Sequence, residues 1–128
     1  MKNFNKNFWK GKKVFITGHT GFKGSWLCII LNNLKANIFG YSLKPQKKSL
    51  FNQSKIIYDL KLNTYGDIEN INLLNKKLKE TKPEIVFHLA AQPLVIDSYK
   101  NPLKTFKTNI IGTVNLLESL RKIKSVKS

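Results

Sequence analysis

Residues 14–25 read Val-Phe-Ile-Thr-Gly-His-Thr-Gly-Phe-Lys-Gly-Ser, and this stretch decides the fold of the chain. Its short apolar start breaks into three glycines, Gly18, Gly21 and Gly24, with two residues between each pair. A strongly apolar segment, residues 26–31, follows directly. This order predicts a strand, a glycine turn and then a helix.

The three glycines suit a turn that approaches a phosphate group. Gly18 lets the chain leave the strand in a conformation that a side chain would hinder, and Gly21 lets backbone N–H groups come close to a ligand. Gly24 lets the helix pack closely on the strand. Because the helix start carries unpaired N–H donors and a positive dipole end, the pattern predicts a dinucleotide site. A glycine-rich turn without a ligand is the alternative.

Downstream of the turn, apolar patterns alternate between strand and helix spacing. Such alternation is typical of a doubly wound parallel sheet, and right-handed crossovers give the strand order 3-2-1-4. The fold class is therefore α/β, a Rossmann-type domain that is incomplete because the chain ends where a fifth strand would start. After the first strand and the glycine turn, the predicted helices cover residues 22–33, 70–81 and 102–122, and the strands cover 36–41, 60–65 and 84–91.

Some of these segments carry further expectations. The fourth strand is almost continuously apolar, which predicts burial on both faces, and its far edge is expected to be unpaired. The first helix is nearly all apolar and is also expected to be buried. Residues 1–11 are expected to form an extended lead-in, with Phe8 and Trp9 covering the edge of the first helix or strand. Apolar residues recur at helical spacing in the last helix: Leu103, Phe106, Ile110, Val114, Leu117 and Leu120.

The chain is strongly basic, since 23 Lys and Arg against 7 Asp and Glu give a formal net charge of +16. The lysines are spread along the chain, whereas a nucleic-acid face would favour clustered basic residues with interleaved aromatic ones. The distribution favours solvated lysines over a nucleic-acid partner, which stays as a third hypothesis. A positive field would still attract a diphosphate ligand.

Composition and length also bound the cellular setting. The 128 residues fit one domain, and Cys28 is the only cysteine, so it forms no internal disulfide and is interpreted as a core residue. The longest apolar run is far shorter than the ~20 residues that cross a bilayer. The first residues lack the apolar stretch of a signal peptide. These features predict a cytoplasmic protein with no membrane partner, and we expect no metal site.

Candidate contacts to the adenosine half follow the second and third strands. An acidic residue usually binds the ribose about 20 residues after the glycine turn, but Ser42 and Lys44 stand there instead. The Ser42 hydroxyl could bond a ribose and Lys44 could equally meet a 2′-phosphate, so the residues leave NAD and NADP open. Asp67 could accept a hydrogen bond from the adenine amino group while Ile68 packs on the ring. Asp67 could also serve only the start of the next helix.

The carboxyl end of the fourth strand is the expected crevice of an open α/β sheet. Ala90 and Ala91 leave room for a ligand there. His88 lies inside the strand and is interpreted as a hydrogen-bonded core or edge histidine rather than as a general base. Asn109 interrupts its apolar surroundings, so it either bonds a backbone group locally or orients something near the site.

Several phrases resemble the CDP-glucose 4,6-dehydratases of the extended short-chain dehydrogenase/reductase superfamily. His19, Lys23 and Trp26 beside the glycines separate this pattern from that of the commoner sugar-nucleotide dehydratases and epimerases. The resemblance covers nearly all of this chain but only the N-terminal part of the family's length. The phrases lie at residues 8–26, 40–45, 66–68, 82–95 and 108–113.

The resemblance implies a lyase of lipopolysaccharide O-antigen biosynthesis that holds NAD tightly and acts on a nucleotide sugar. The implied reaction passes a hydride from C4 of the sugar to NAD, loses water across C5 and C6, and returns the hydride at C6. It needs a Tyr-x-x-x-Lys pair, yet none of the four tyrosines has a lysine four positions on. No catalytic residue is therefore assigned. The expected cofactor contacts, of which Gly24 and Ser42 come from the residue pattern, are Thr17, Gly18, Gly21, Phe22, Lys23, Gly24, Ser42, Asp67, Ile68, Leu89, Ala90, Ala91 and Asn109.

The resulting hypothesis is that residues 1–128 form an NAD(P)-binding N-terminal domain that is inactive alone and lacks the substrate-binding part. A separately encoded C-terminal half or a second copy of the chain would then be its partner. The alternatives are a non-catalytic nucleotide-binding module and a fragment of another NAD(P)-dependent sugar-nucleotide epimerase or dehydratase.

Overall fold

A four-stranded parallel sheet organises the computed structural model, which describes residues 6–128. The strand order is β3-β2-β1-β4, which confirms the predicted 3-2-1-4 arrangement. In register, Phe15 pairs with Phe39 of the second strand and Val86 of the fourth. The strands span Lys13–Thr17 (β1), Asn37–Ser42 (β2), Leu62–Tyr65 (β3) and Ile85–His88 (β4).

Helices cover both faces of this sheet. None of those within residues 6–128 has the length and apolar character needed to cross a membrane. A 3₁₀ turn covers Ile56–Asp59 and a π turn covers Lys107–Ile111. The α-helices span Lys6–Trp9 (α1), Phe22–Asn33 (α2), Leu50–Ser54 (α3), Ile71–Thr81 (α4), Val95–Lys100 (α5), Pro102–Phe106 (α6) and Gly112–Leu120 (α7).

The strands of the sheet separate two apolar clusters because successive side chains of a strand point to opposite faces. Val14 and Ile16 of β1 join Cys28 and Leu31 of α2 on one face. Phe15, between them, joins the other cluster with residues of α4 and α7. The interpretation of Cys28 as a core residue is confirmed, since its side chain is fully buried.

Helix α2, the first helix predicted from the sequence, is buried on one face only. Gly24, Ser25, Cys28 and Leu31 are its buried residues, whereas Trp26 is half exposed. The expectation of burial all round is therefore wrong for α2. The sheet therefore covers only part of the apolar surface of α2.

The fourth strand also differs from expectation. All four residues of β4 are only partly buried, because the strand has β1 on one side and little on the other. Its outer edge is not wholly unpaired, however. The Lys127 N–H donates to the Glu84 carbonyl and the Val86 N–H donates to the Ser128 carbonyl, both over 2.8 Å. The Ser128 N–H also donates to the Glu84 carbonyl, over 3.4 Å, and together with the Val86 bond it makes the pattern of a parallel neighbour.

The predicted helix over residues 102–122 is interrupted by the π turn. A π turn holds an extra residue and so rotates the following residues about the helix axis. After it, Gly112, Leu116 and Ser119 face the core. Leu120 packs partly against the core, whereas the rest of the predicted apolar stripe is exposed. We call this surface the outer apolar face, formed by Leu103, Phe106, Ile110, Val114 and Leu117.

The lead-in is helical where an extended segment was expected. Lys6–Trp9 form the short helix α1, and residues 1–5 of the predicted lead-in lie outside the described residues. The Trp9 ring stacks on Phe87 of β4, with 6.5 Å between ring centroids, while Phe8 remains half exposed.

Candidate dinucleotide-binding site

The glycine turn packs closely against the residues that follow β4. Gly18 has φ +74°, a left-handed conformation that favours glycine. A Cβ added there would lie 2.5 Å from the carbonyl carbon of Leu89 and 2.6 Å from the nitrogen of Ala90. Gly18 is therefore required both by its own backbone and by the close approach of the neighbouring strand.

The other two glycines differ in what demands them. A Cβ on Gly24 would collide with the Gly18 carbonyl oxygen and come within 2.7 Å of the His19 Cα, so α2 could not pack on the turn. A Cβ on Gly21 would meet only that carbonyl oxygen, at 3.3 Å. Packing within the chain therefore hinders a side chain at Gly21, at the start of α2, less than at Gly18 or Gly24.

The start of α2 is open to an anion. Gly21 is the residue before the helix, and within the described residues no side chain caps its first N–H groups. The first turn contains no acidic residue, and Phe22 and Lys23 are exposed. Free N–H donors, the positive end of the helix dipole and the Lys23 ammonium group act together to favour a negatively charged ligand.

At the end of β2, a buried pair of hydroxyls joins this turn to Ser42, the predicted ribose position. Ser42 Oγ lies 2.8 Å from Thr20 Oγ1, and Thr20 Oγ1 also donates to the Leu43 carbonyl over 3.0 Å. Lys44 is exposed beyond them. The sequence analysis assigned no role to Thr20, although its place inside the glycine turn could have suggested one.

The loop after β3 is held by its own contacts. Asp67 Oδ1 accepts a hydrogen bond from the Glu69 N–H over 3.0 Å, and the Tyr41 hydroxyl donates to the Asp67 carbonyl over 2.8 Å. Burial raises the pKa of Tyr41 to about 12, so this hydroxyl keeps its proton. Ile68 is 4% exposed and lies against Gly112 in the core. The predicted adenine contacts of Asp67 and Ile68 stay predictions.

A carboxylate ties the same loop to the last helical segment. Glu69 Oε1 accepts from Lys104 Nζ over 2.6 Å and from the Thr108 hydroxyl over 2.8 Å. The bonds from Lys104 and Thr108 lower the pKa of Glu69. Asn115 adds bonds from its side-chain amide to the carbonyls of Ile68 and Glu69. The candidate adenine loop and the segment that carries Asn109 are thus held together.

His88 is bonded at both ring nitrogens. Thr113 Oγ1 donates to the Asn109 carbonyl over 2.7 Å, so it can only accept from His88 Nε2, 2.9 Å away. Burial lowers the pKa of His88, so the ring is neutral and its Nδ1 accepts from Thr17 Oγ1 over 2.7 Å. The interpretation of His88 as a hydrogen-bonded histidine fits this arrangement. The Thr17 hydroxyl uses its proton in the bond to His88.

The segment after β4 is positioned by Asn109. The Gln92 N–H donates to Asn109 Oδ1 over 2.8 Å, and Asn109 Nδ2 donates to the Gln92 carbonyl over 3.1 Å. The backbone group that Asn109 bonds lies 17 residues away rather than locally, so the side chain orients the segment after β4. Thr17 Oγ1 additionally accepts from the N–H groups of Leu89 and Ala90, over 3.2 and 3.3 Å.

Parallel pairing therefore brings most of the predicted contacts to one edge of the sheet. The glycine turn, Ser42 and the Leu89 to Ala91 segment follow the carboxyl ends of β1, β2 and β4, where open α/β sheets bind ligands. Ile68 is the exception, because its side chain is buried in the core. Thr20 and Thr113, which the sequence analysis missed, act by orienting other residues.

Comparisons with known proteins agree with this geometry. A CDP-glucose 4,6-dehydratase from Salmonella typhimurium is 49% identical over 124 residues, which cover 96% of this chain and 34% of that protein. The chain thus spans about a third of the length of this relative. The resemblance seen in the sequence phrases is confirmed.

Solved structures share the fold. An epimerase from Methanothermobacter thermautotrophicus matches with a TM-score of 0.77 and 28% identity, over 94% of this chain and 34% of that one. A UDP-glucose-4-epimerase from Stenotrophomonas maltophila, with bound NAD and formylated UDP-arabinopyranose, matches with a TM-score of 0.75. It is 24% identical over 86% of this chain and 33% of that one, so it supports the fold alone.

The family profile covers most of the chain. The profile described as GDP-mannose 4,6 dehydratase matches residues 15–128, from within β1 to the last residue. The matched part contains the glycine turn, the ribose position and the segment after β4. By its sequence and its fold, this chain belongs to the GDP-mannose 4,6 dehydratase family.

Proposed function

We propose that this chain forms the NAD-binding portion of a CDP-glucose 4,6-dehydratase. The observation that carries the proposal is the uncapped start of α2 at Gly21, where packing within the chain hinders a side chain less than at Gly18 or Gly24. A pyrophosphate fits this place because N–H donors and the helix dipole converge on it, while Gly18 and Gly24 have packing reasons of their own. The 49% identical relative supports CDP-glucose as the substrate class.

The residues present fit NAD in a defined order along the sheet edge. Gly21, Phe22 and Lys23 would hold the pyrophosphate, Ser42 would meet the adenosine ribose, and the segment from Leu89 to Ala91 would border the nicotinamide. When bound, NAD would take a hydride from C4 of the sugar and return it at C6 after water leaves across C5 and C6. The chain's own contribution is to bind and orient the cofactor.

The rest of the catalytic apparatus lies outside these residues in this proposal. No tyrosine of the chain has a lysine four positions on, so the proton transfer of the oxidation step needs groups from elsewhere. We therefore expect the chain alone not to turn over CDP-glucose. We also propose a cytoplasmic location, which suits a protein that uses this cofactor and a nucleotide sugar.

The outer apolar face supports a partner that completes the protein. Leu103 is 79% exposed and Phe106 is 62% exposed. The relatives are about three times longer than this chain. We propose that protein corresponding to their remaining length, as a continuation or as a separate polypeptide, covers this face. A second copy of the chain is the competing occupant.

Calorimetric titration of the folded chain with NAD tests the proposal. We expect saturable binding that Gly21→Val abolishes, because the new side chain would fill the space meant for the pyrophosphate. Lys79→Val is the control, because it places the same side chain on the exposed side of α4, in the last turn of that helix and away from the glycine turn. Circular dichroism establishes that each variant is folded. Absence of binding by the folded chain, or equal binding by Gly21→Val, would overturn the proposal.

A further inference from the structure

A pair of buried hydroxyls stands at the end of β2. Ser42 is 9% exposed and Thr20 is 7% exposed, so the hydrogen bonds of this pair exchange little with water. Thr20 Oγ1 lies 3.0 Å from the Leu43 carbonyl oxygen and 2.8 Å from Ser42 Oγ. The direction of each of these two bonds can be worked out.

The direction follows from counting protons. A carbonyl oxygen can only accept, so both bonds form at once only when the single Thr20 proton is donated to Leu43. Thr20 Oγ1 then has no proton left for Ser42, and the Ser42 hydroxyl must be the donor between the two. Ser42 has thereby used its only proton. What remains on Ser42 Oγ is lone pairs, which can accept a hydrogen bond and cannot donate one.

This polarity matters at the ribose position of a dinucleotide fold. The residue at the end of the second strand meets the 2′ position of the adenosine ribose. A 2′-hydroxyl, as in NAD, can donate to Ser42 Oγ. A 2′-phosphate, as in NADP, presents acceptors only and faces the lone pairs of Ser42 without a proton between them.

We propose that Thr20 is the specificity-determining residue of this site: it fixes Ser42 as an acceptor and so makes the chain prefer NAD to NADP. Charge alone would favour the opposite choice, because Lys44 is exposed two residues on and the net charge is +16. The inference rests on the proposed function, since it concerns the same dinucleotide site.

The test compares the affinities of NAD and NADP by calorimetry in four proteins. The wild type binds NAD more tightly. Thr20→Val removes the hydroxyl with little change of side-chain shape, so the Ser42 proton becomes free to be donated to a ligand. We therefore expect NADP to bind more tightly. The ratio of the NAD and NADP affinities should fall by about two- to tenfold, the range of one hydrogen bond. Thr20→Ser is the matched control and keeps the wild-type ratio. Ser42→Ala weakens NAD by a similar factor and leaves NADP unchanged.

The outcomes distinguish a failure of the role proposed for Thr20 from a failure of the proposed function. If NAD binds but the ratio is the same in Thr20→Val and Ser42→Ala as in the wild type, or if the wild type prefers NADP, the role of Thr20 is overturned while the dinucleotide site stands. If the folded wild type binds neither dinucleotide, the proposed function is overturned and the inference with it.

Discussion

The Thr17 hydroxyl donates to Nδ1 of His88 across the β1–β4 pair, with 2.7 Å between the two atoms. The opposite ring nitrogen donates to Thr113, so the histidine joins both strand ends to α7, which carries Thr113. Both ring nitrogens are engaged, and the imidazole acts as a spacer in the fold. Its protonation state therefore bears on stability.

Acidification should destabilise the chain through its two histidines. Burial lowers the pKa of His19 and of His88 below the ordinary value of 6.5, so the folded state favours the neutral rings. In the unfolded chain the rings protonate as the pH falls below 6.5, which stabilises the unfolded state. We expect the free energy of unfolding, measured by urea denaturation, to fall between pH 7 and pH 5.

The control for this prediction replaces both rings. His19 and His88 are the only histidines, so a His19→Gln, His88→Gln double variant lacks the titration altogether. It should be less stable than the wild type at pH 7 because the bonds to Asn63 and Thr113 are altered, and its stability should change less over this range. An equally steep pH dependence in the double variant would contradict the prediction.

Alanine at two of the glycines should destabilise the fold. Gly18→Ala and Gly24→Ala each force backbone atoms apart, and we expect each to lower the free energy of unfolding by about 1–3 kcal/mol. Gly21→Ala is the matched control, and its single new contact at 3.3 Å should cost less than about 1 kcal/mol. Urea denaturation measures all three. Equal losses in the three variants would show that the turn is not packed as described.

Two lysines with left-handed backbones offer a route to a more stable chain. Lys35 has φ +64° and Lys82 has φ +46°, conformations that glycine adopts without strain. Both side chains are exposed, so we expect Lys35→Gly and Lys82→Gly each to raise the free energy of unfolding by about 0.5–1 kcal/mol. Lys76→Gly, on the exposed side of α4, is the control and should lower it by about 1 kcal/mol. Thermal denaturation that ranks the variants otherwise would refute this account.

Cys28 should report unfolding through its reactivity. Burial raises the pKa of its thiol to about 12, and the side chain is fully buried in the cluster between α2 and the sheet. We expect a thiol reagent at pH 8 to leave the native chain unmodified and to label it quickly in strong denaturant, because the nucleophile is the exposed thiolate. Rapid labelling of the native chain would place Cys28 outside the core.

The sequence predicted the strand order and the glycine turn because both arise from local patterns. A strand, glycines and an apolar helix in immediate succession leave few arrangements, and right-handed crossovers order the strands. The bond between Thr20 and Ser42 was missed because it depends on the register of β1 against β2. The same holds for the pairing of Lys127 and Ser128 with β4, which no local pattern signals.

Which residues are buried was harder to predict from the sequence than the order of the strands. Helical spacing of Leu103, Phe106 and Ile110 indicates that one side of the helix is apolar, but the spacing does not say what covers it. The π turn at Lys107–Ile111 leaves no simple sequence signal, and it decides which residues after it face the core. The continuous apolar run of β4 likewise says nothing about how many neighbours the strand has.

The outer apolar face, set in a chain of net charge +16, has a colloidal consequence. Repulsion between two such molecules reaches far at low ionic strength, but it is screened within about 8–10 Å near 0.1–0.15 M salt. Attraction between their apolar faces depends on expelled water and is not screened in this way. Added salt, a common aid to keeping basic proteins dispersed, should therefore promote clustering of this one.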